Sequence, residues 1–375
     1  MDRRKFVKTA MGAGALIVGG ASLLTGCGRG IRRSDIAPSD RVPDALPELG
    51  ESLSEILRYA SLAPSGHNSQ PWQVTVHSQN DLTISADPKR RLPAVDPQNR
   101  EVMLSLGAFL ENLTLAAEAK GYAVSSEVIA QSPTDLDIIR VRLKQGTPNG
   151  YPLERLTGRM TVKHGYRRDE LKADVIQELA VPFDGHLHYY PRDDWHAKCI
   201  REGAVESMRI QLTRVDAQRE MVEWVRLNRE SALKHRDGLT TEGMEITGFK
   251  GWFVRHFLGP EDFMKPSALD QTLKITAQLA TEGGGWFIIT SKGSTVADLI
   301  DTGRRFERMA LMAREHNVAI QPMTQWLEEE TGRKQISENH DASIIPQFVL
   351  RVGYLDRYPD PVSLRRPVKW FVRKG

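Results

Sequence analysis

Pro64, Ser65, His67, Asn68 and Gln70 fall within one short run, Ala-Ser-Leu-Ala-Pro-Ser-Gly-His-Asn-Ser-Gln-Pro-Trp, from Ala60 to Trp72. A tight turn needs one or two residues of this kind, so the surplus reads as a site. Asn68 offers an amide donor and an acceptor, and Ser65 adds a short hydroxyl that serves as either. Pro64 fixes the backbone there, and Gly66 lets it come close to a ligand. Cations stand elsewhere in the chain: Arg159 and Lys163 flank Thr161, and Arg365 and Arg366 are adjacent near the C-terminus. These would contact a phosphate, whose dianion suits the planar guanidinium fork. His67 is a lone imidazole, a residue more often packed or solvated than catalytic.

Other chemistries find less support. Gly-x-Ser-x-Gly is absent, and no other Ser/His/Asp signature replaces it. His186, His188, His196 and Cys199 match no common zinc spacing, so no metal is expected. Glu-Gly-Gly-Gly-Trp, ending at Trp286, precedes a strand without the helix that a phosphate loop requires.

The elements that must carry these residues can be read from periodicity. Leu53, Ile56, Leu57 and Ala60 recur at helical spacing from a start near Ser52 or Ser54. After Trp72, two strands around a Gln-Asn-Asp turn predict a hairpin. A long helix is expected over about 101–120, with Leu106, Leu110, Leu113 and Ala117 on one face and Gly121 as its stop. The stretch Leu-Asp-Ile-Ile-Arg-Val-Arg-Leu-Lys, from Leu136, reads as a further strand, and Glu-Trp-Val-Arg-Leu-Asn-Arg-Glu-Ser-Ala-Leu-Lys-His-Arg-Asp-Gly-Leu, from Glu223, as a charged helix.

One internal repeat organises the rest. The segment from Gly107 can be laid on the segment from Gly303, pairing Gly107 with Gly303, Leu110 with Phe306, Glu111 with Glu307 and Gly121 with Asn317 at one offset. Upstream, Trp72 and Trp286 each open an apolar run. A duplicated unit follows, with a first half over 51–150 and a second over 151–375. Residues 200–280 fit the repeat least and read as an insertion with its own helices, either a lid or a membrane-facing patch. The motif around Asn68 is not repeated, since Glu-Leu-Ala-Val-Pro-Phe-Asp-Gly-His-Leu-His-Tyr-Tyr stands in its place. One site per chain is expected, at the seam between the halves.

Taken together, the motifs resemble those of FMN-dependent nitroreductase-type flavoproteins. Ala-Pro-Ser-Gly-His-Asn-Ser-Gln-Pro-Trp is similar to that family's Pro-Ser-x-x-Asn-x-Gln-Pro-Trp stretch. Arg159, Thr161 and Lys163 stand in the places of its opening Arg-x-Ser-x-Arg element, with Thr and Lys as departures. The segment His-Asn-Val-Ala-Ile-Gln-Pro-Met, containing Gln321, Pro322 and Met323, resembles the one that passes the flavin's reactive edge. Pro-Gln-Phe-Val-Leu-Arg-Val-Gly-Tyr and the Arg365–Arg366 tail resemble its closing strand and basic end. The order is most similar to the Acg-type branch of long, fused single chains.

The resemblance implies an α+β fold with three α/β/α layers, an internally duplicated pseudo-dimer with a mainly antiparallel sheet in each half. It implies bound FMN, held by Pro64, Ser65, His67, Asn68, Gln70, Arg159, Thr161, Lys163, Gln321, Pro322, Met323, Arg365 and Arg366. The activity implied is an oxidoreductase passing a hydride to a small acceptor such as a nitro compound or quinone. A protein acid or base is not obligatory, in keeping with the lack of a carboxylate pair in the sequence. A non-catalytic flavin-holding protein with a lidded site is the alternative. Being already fused, the chain is expected to be a monomer.

The N-terminus bears on compartment. Arg3 and Arg4 precede an apolar run from Met11 to Leu24, shorter than the ~20 residues that span a bilayer. A basic head and a short apolar core read as an export signal over 1–26, and the paired arginines favour the twin-arginine route. Leu-Thr-Gly-Cys resembles a lipobox, which would make Cys27 a lipidated first residue and 27–50 a tether. The expected location is therefore periplasmic and membrane-anchored. Free NAD(P)H is absent there, so the donor would be a membrane quinol or redox partner. Without residues 1–26 the chain has 47 cationic and 47 anionic side chains, which leaves no footprint for nucleic acid. Cys199 is then the one remaining thiol, and packing alone must hold the fold.

Overall fold

The computed structural model describes residues 29–36, 49–339 and 344–375. The expected signal, Cys27 and most of the tether lie outside them.

In the first half, helix α1 (Gly50–Ala60) buries Leu53, Ile56, Leu57 and Ala60, the apolar stripe read from the sequence. Strands β1 (Trp72–Ser78) and β2 (Asp81–Ala86) form the expected hairpin, with Trp72 opposite Ala86 and Val74 opposite Ile84. Helix α2 (Arg100–Ala119) is followed by Gly121 at φ +83°, a left-handed stop that glycine adopts without strain. Strands β3 (Tyr122–Val128) and β4 (Asp137–Gln145) pair antiparallel.

The second half contains β5 (Leu187–Pro191), helix α3 (Trp195–Thr213) and a short parallel pair, β6 (Val225–Arg226) with β7 (Leu239–Thr240). Helices α4 (Gly248–Phe257) and α5 (Pro266–Ala280) follow, then β8 (Gly285–Ser291) and the long helix α6 (Val296–Glu315). Strand β9 (Val318–Pro322), the single-turn helix α7 (Gln325–Glu328), β10 (Ile345–Tyr354) and β11 (Val372–Lys374) complete the labelled elements. The single charged helix expected from Glu223 is instead broken. β6 interrupts it, and a new helix, Arg229–His235, starts where Asn228 accepts a hydrogen bond from the Ser231 N–H at 2.8 Å. That side chain offers a helix start in mid-segment, which overrides the continuous periodicity.

Two main sheets result. One runs β11-β1-β2-β4-β3 and the other β5-β8-β10-β9. All of these pairings are antiparallel except β11 on β1, where the chain's last strand returns from the second half and sets Val372 beside Val74. The expected α+β architecture with mainly antiparallel sheets is observed.

The two repeated helices, α2 and α6, cross at the seam. A Cβ on Gly107 would lie 2.2 Å from the Ile300 carbonyl oxygen, and one on Gly303 would lie 2.1 Å from that of Leu104. The residues matched by the repeat therefore touch each other's helices. The matched pair Glu111 and Glu307 is also buried: Glu111 receives Arg304 Nε at 3.0 Å and Arg308 Nη2 at 2.5 Å, while Glu307 faces Arg159 Nε at 3.3 Å. On one side of the crossing, Trp72, Phe109 and Phe371 pack with ring centroids 5.1 and 6.1 Å apart. On the other, Phe306 stacks on Phe348 at 4.4 Å.

Candidate functional site

A cavity of about 430 Å³ opens beside this crossing and takes walls from both halves, the insertion and the C-terminal tail. Of the residues singled out in the sequence, it brings together Pro64, Ser65, His67, Asn68, Arg159, Thr161, Lys163, Gln321, Pro322, Met323 and Arg365. Gln70 and Arg366 are not in its wall. Arg366 N–H donates to Gln70 Oε1 at 2.8 Å, and its Nη2 donates to the carbonyls of Gln70 and Trp72 at 2.5 and 2.8 Å. The expected ligand contacts of these two are thus replaced by a buried staple behind the site.

The crowded loop is a junction as well as a wall. His67, Asn68 and Gln70 have φ of 49, 53 and 55°, left-handed values that cost energy outside glycine and persist where surroundings over-determine them. Those surroundings are specific. Gln70 N–H donates to Ser65 Oγ at 2.9 Å, and Gln70 Nε2 donates to the Arg236 carbonyl at 2.9 Å. Asn68 Nδ2 donates to the carbonyls of Gly238 and Leu364 at 3.2 and 3.3 Å, while its Oδ1 accepts from Arg365 Nη1 at 3.0 Å. Both ends of this amide are engaged by protein, where the sequence reading left them for a ligand. Asn68 instead fixes Arg365, whose Nη2 also donates to the carbonyls of Leu62 and Ala63.

Cations concentrate along one part of the cavity. Arg159 and Arg365 are joined there by Arg33, from within the expected tether over 27–50. Arg33 is placed by its backbone N–H on the Val362 carbonyl and by its Nε on the Ser363 carbonyl at 2.9 Å. Its Nη2 and the Nε of Arg365 are buried without a protein hydrogen-bond partner. Burial, followed by the charges of Arg33 and Arg159, holds the Arg365 guanidinium well below its usual range. Arg33 is lowered to about 10 by burial and then by Arg159. Lys163 is also lowered by burial, with Glu245 opposing. Arg33, Arg159, Lys163 and Arg365 thus face mainly Glu307 and Glu245, a surplus that an anion would neutralise. No single motif announces Arg33. Its one sequence signal was the basic run Arg-Gly-Ile-Arg-Arg, from Arg29 to Arg33.

The opposite chemistry lies where the loop meets α2. A Cβ on Gly66 would sit 3.1 Å from Glu101 Oε2, so this carboxylate packs closely against the glycine. Glu101 and Glu328 both line the cavity and interact with each other. Gln211 Nε2 donates to Glu328 Oε2 at 2.5 Å, and Arg100 Nη2 reaches Glu101 Oε1 at 3.0 Å. Burial, then the Glu101 charge, pushes the Glu328 carboxyl well above its ordinary range. The absence of a carboxylate pair read from the sequence is therefore corrected. The two residues are 227 positions apart, and only folding joins them. His67, between these regions, has a buried Nδ1 without a partner and a pKa lowered to about 4 by burial and then by Lys163.

The far wall is held from behind. Gln321 and Arg351 are register partners in β9 and β10, and Arg351 Nη2 donates to Gln321 Oε1 at 2.5 Å and to the Lys163 carbonyl. Met323 N–H donates to the Val349 carbonyl at 2.8 Å. His186 and His188 lie away from the cavity wall, both directed at Thr290 Oγ1.

No protein-family model matches the chain. A Serratia sp. protein described as "Probable NAD(P)H nitroreductase PigM" is 21% identical over 324 residues, spanning 81% of this chain and 88% of that one. A Mycobacterium tuberculosis protein described as "Putative NAD(P)H nitroreductase acg" is 33% identical over 75 residues, 20% of this chain and 22% of its own. Among solved structures, a protein from Anabaena variabilis described as "a putative nitroreductase" aligns over 81% of this chain and 88% of its own, at 10% identity and a TM-score of 0.40. A nitroreductase-like protein from Bacillus cereus aligns over 58% and 91%, at a TM-score of 0.33. The similarity that runs most of the chain's length is thus to a protein described as a probable nitroreductase.

Proposed function

We propose that the chain is an FMN-dependent oxidoreductase of nitroreductase type. The observation that carries this reading is the surplus of cations, Arg33, Arg159, Lys163 and Arg365, that line one cavity with the Pro64–Asn68 loop. Those four side chains fit a phosphate dianion, and a volume of about 430 Å³ lies within the usual range for small-ligand sites. Pro64, His67, Pro322 and Met323 offer largely apolar walls to a flat ring. When bound, FMN supplies the hydride chemistry.

The chain's own groups do the rest. The guanidinium groups bind and orient the phosphate. Residues of the 200–280 insertion, among them Met208, Gln211 and Leu239, line part of the cavity and limit the approach of water from that side. The Glu101–Glu328 contact holds a proton at the cavity wall, beside an acceptor that must gain one with each hydride.

The N-terminal sequence supports export by the twin-arginine route, with Cys27 lipidated and the mature protein held at the membrane in the periplasm. The donor there is a quinol or a redox partner, and the acceptor a nitro compound or quinone. The insertion that lines the cavity also supports a second reading, in which flavin is held without turnover.

The test is the visible spectrum of the mature protein, followed by anaerobic titration with NAD(P)H and with reduced quinones. A yellow protein bleached by quinol and re-oxidised by a nitro compound or quinone is the expected result. A protein that takes up no FMN removes both readings. Bound flavin that no donor reduces leaves the holding role.

A further inference from the structure

Helix α4 (Gly248–Phe257) carries an aromatic cluster on the outside of the molecule. Phe249 is 76% exposed and Phe257 45%. Phe249 stacks on Trp252 at 5.5 Å, Trp252 meets Phe257 at 5.5 Å, and Phe253 stacks on Phe257 at 5.1 Å. Lys250 and His256 are exposed beside these rings. The other face of the helix is fixed. A Cβ on Gly251 would come 2.3 Å from the Ile246 carbonyl oxygen, and Arg255 Nη1 donates to Thr241 Oγ1 at 3.0 Å and Glu242 Oε1 at 2.9 Å. The rings therefore cannot turn inward without dismantling that anchorage. A contiguous aromatic patch of this kind marks an interaction surface.

What covers it is indicated by where the N-terminal chain leaves the body. Gly30 N–H donates to Glu242 Oε1 at 2.7 Å, the same carboxylate oxygen that holds Arg255. The apolar run of the sequence ends at Leu24, six residues before Gly30. Six residues reach at most about 20 Å. If Met11–Leu24 or a lipid on Cys27 enters a bilayer, the part of the protein that holds Gly30 and Glu242, with α4 anchored on the same carboxylate, must lie close to it. Aromatic rings with flanking cations are the composition that settles at a lipid–water interface.

The geometry points to α4 as a membrane-docking element: Phe249, Trp252, Phe253 and Phe257 enter the headgroup region of a lipid bilayer, with Lys250 at the phosphates. This surface is separate from the cavity wall and does not depend on flavin being bound.

The test uses the full chain with vesicles of phosphatidylethanolamine and phosphatidylglycerol, some carrying brominated acyl chains. The expected result is flotation with the vesicles and bromine quenching of a fluorescence component that Trp252→Phe removes. The double variant Phe249→Glu, Phe257→Glu changes only exposed positions. It is expected to float still, through its N-terminal segment, while at least half of the Trp252 quenching is lost. Flotation without any quenching assignable to Trp252 overturns the proposal. So does a concentration-dependent dimer in lipid-free sedimentation that the double variant abolishes, since a second copy would then be the occupant. Failure to float at all overturns it as well.

Discussion

Asn68 and Arg365 lie 297 positions apart and meet through a 3.0 Å hydrogen bond from Nη1 to Oδ1. The bond ties the most distinctive loop of the first half to the tail that returns from the second. Asn68→Ala removes it together with two bonds to the carbonyls of Gly238 and Leu364, at a φ that disfavours alanine. A loss of about 2 kcal/mol or more in stability is expected, from ~1 kcal/mol per hydrogen bond. Flavin content at equal protein should fall with it. Asn68→Gly relieves the backbone but not the bonds, so it should lie between the two in melting temperature while remaining low in flavin.

The helix crossing reverses an ordinary rule. Gly→Ala in an exposed helix stabilises by roughly 0.5–1 kcal/mol. At Gly107 or Gly303 the added methyl would meet a backbone carbonyl near 2 Å. Either variant should therefore lose about 1–3 kcal/mol as the helices are forced apart. Chemical unfolding decides the sign.

Arg33 separates phosphate from ring. If its guanidinium contacts the anion, Arg33→Ala should weaken FMN binding about tenfold or more, as expected for a charge-assisted contact of about 1.5–3 kcal/mol, and leave riboflavin binding nearly unchanged. Equal weakening of both ligands would place Arg33 in the frame of the cavity rather than on the phosphate. Calorimetric titration of the two flavins reads the difference.

His67 gives a pH signature. Its folded pKa of about 4 lies below its ordinary value of 6.5, so below pH 6.5 the unfolded state binds more protons. Stability should then fall as pH drops from about 6.5 to 4 and level off below. His67→Asn tolerates the positive φ and cannot titrate, so it should flatten this part of the melting-temperature profile.

Glu328 works in the opposite direction. Its folded pKa is raised by burial and then by Glu101, so the folded state keeps a proton that the unfolded state releases. The cost therefore grows as pH climbs above the ordinary carboxyl range of about 4.3. Glu328→Gln should match the parent near pH 4 and exceed it in melting temperature at pH 8. If this carboxyl supplies the proton, the variant should also slow acceptor reduction without changing flavin content.

By itself the sequence determined the local elements. Periodicity placed the stripe of α1, the hairpin after Trp72 and the long helix stopped by Gly121, because spacing and turn chemistry act between near neighbours. The repeat that aligned Gly107 with Gly303 singled out two residues that each press on the partner helix, since only glycine admits a backbone that close. It also drew attention to the loop around Asn68, whose residue types exceed what a turn requires.

Tertiary structure alone decided how those residues are used. Asn68 directs its amide at a carbonyl pair and a guanidinium from the other end of the chain, and Gln70 and Arg366 staple the backbone behind the cavity. Arg33 enters from a segment that reads as a linker, and Glu101 meets Glu328 across 227 positions. Burial and charge pairing depend on distances between segments that no local pattern encodes. The same side chain can be a ligand, a clamp or a solvated charge, and the surrounding fold selects which.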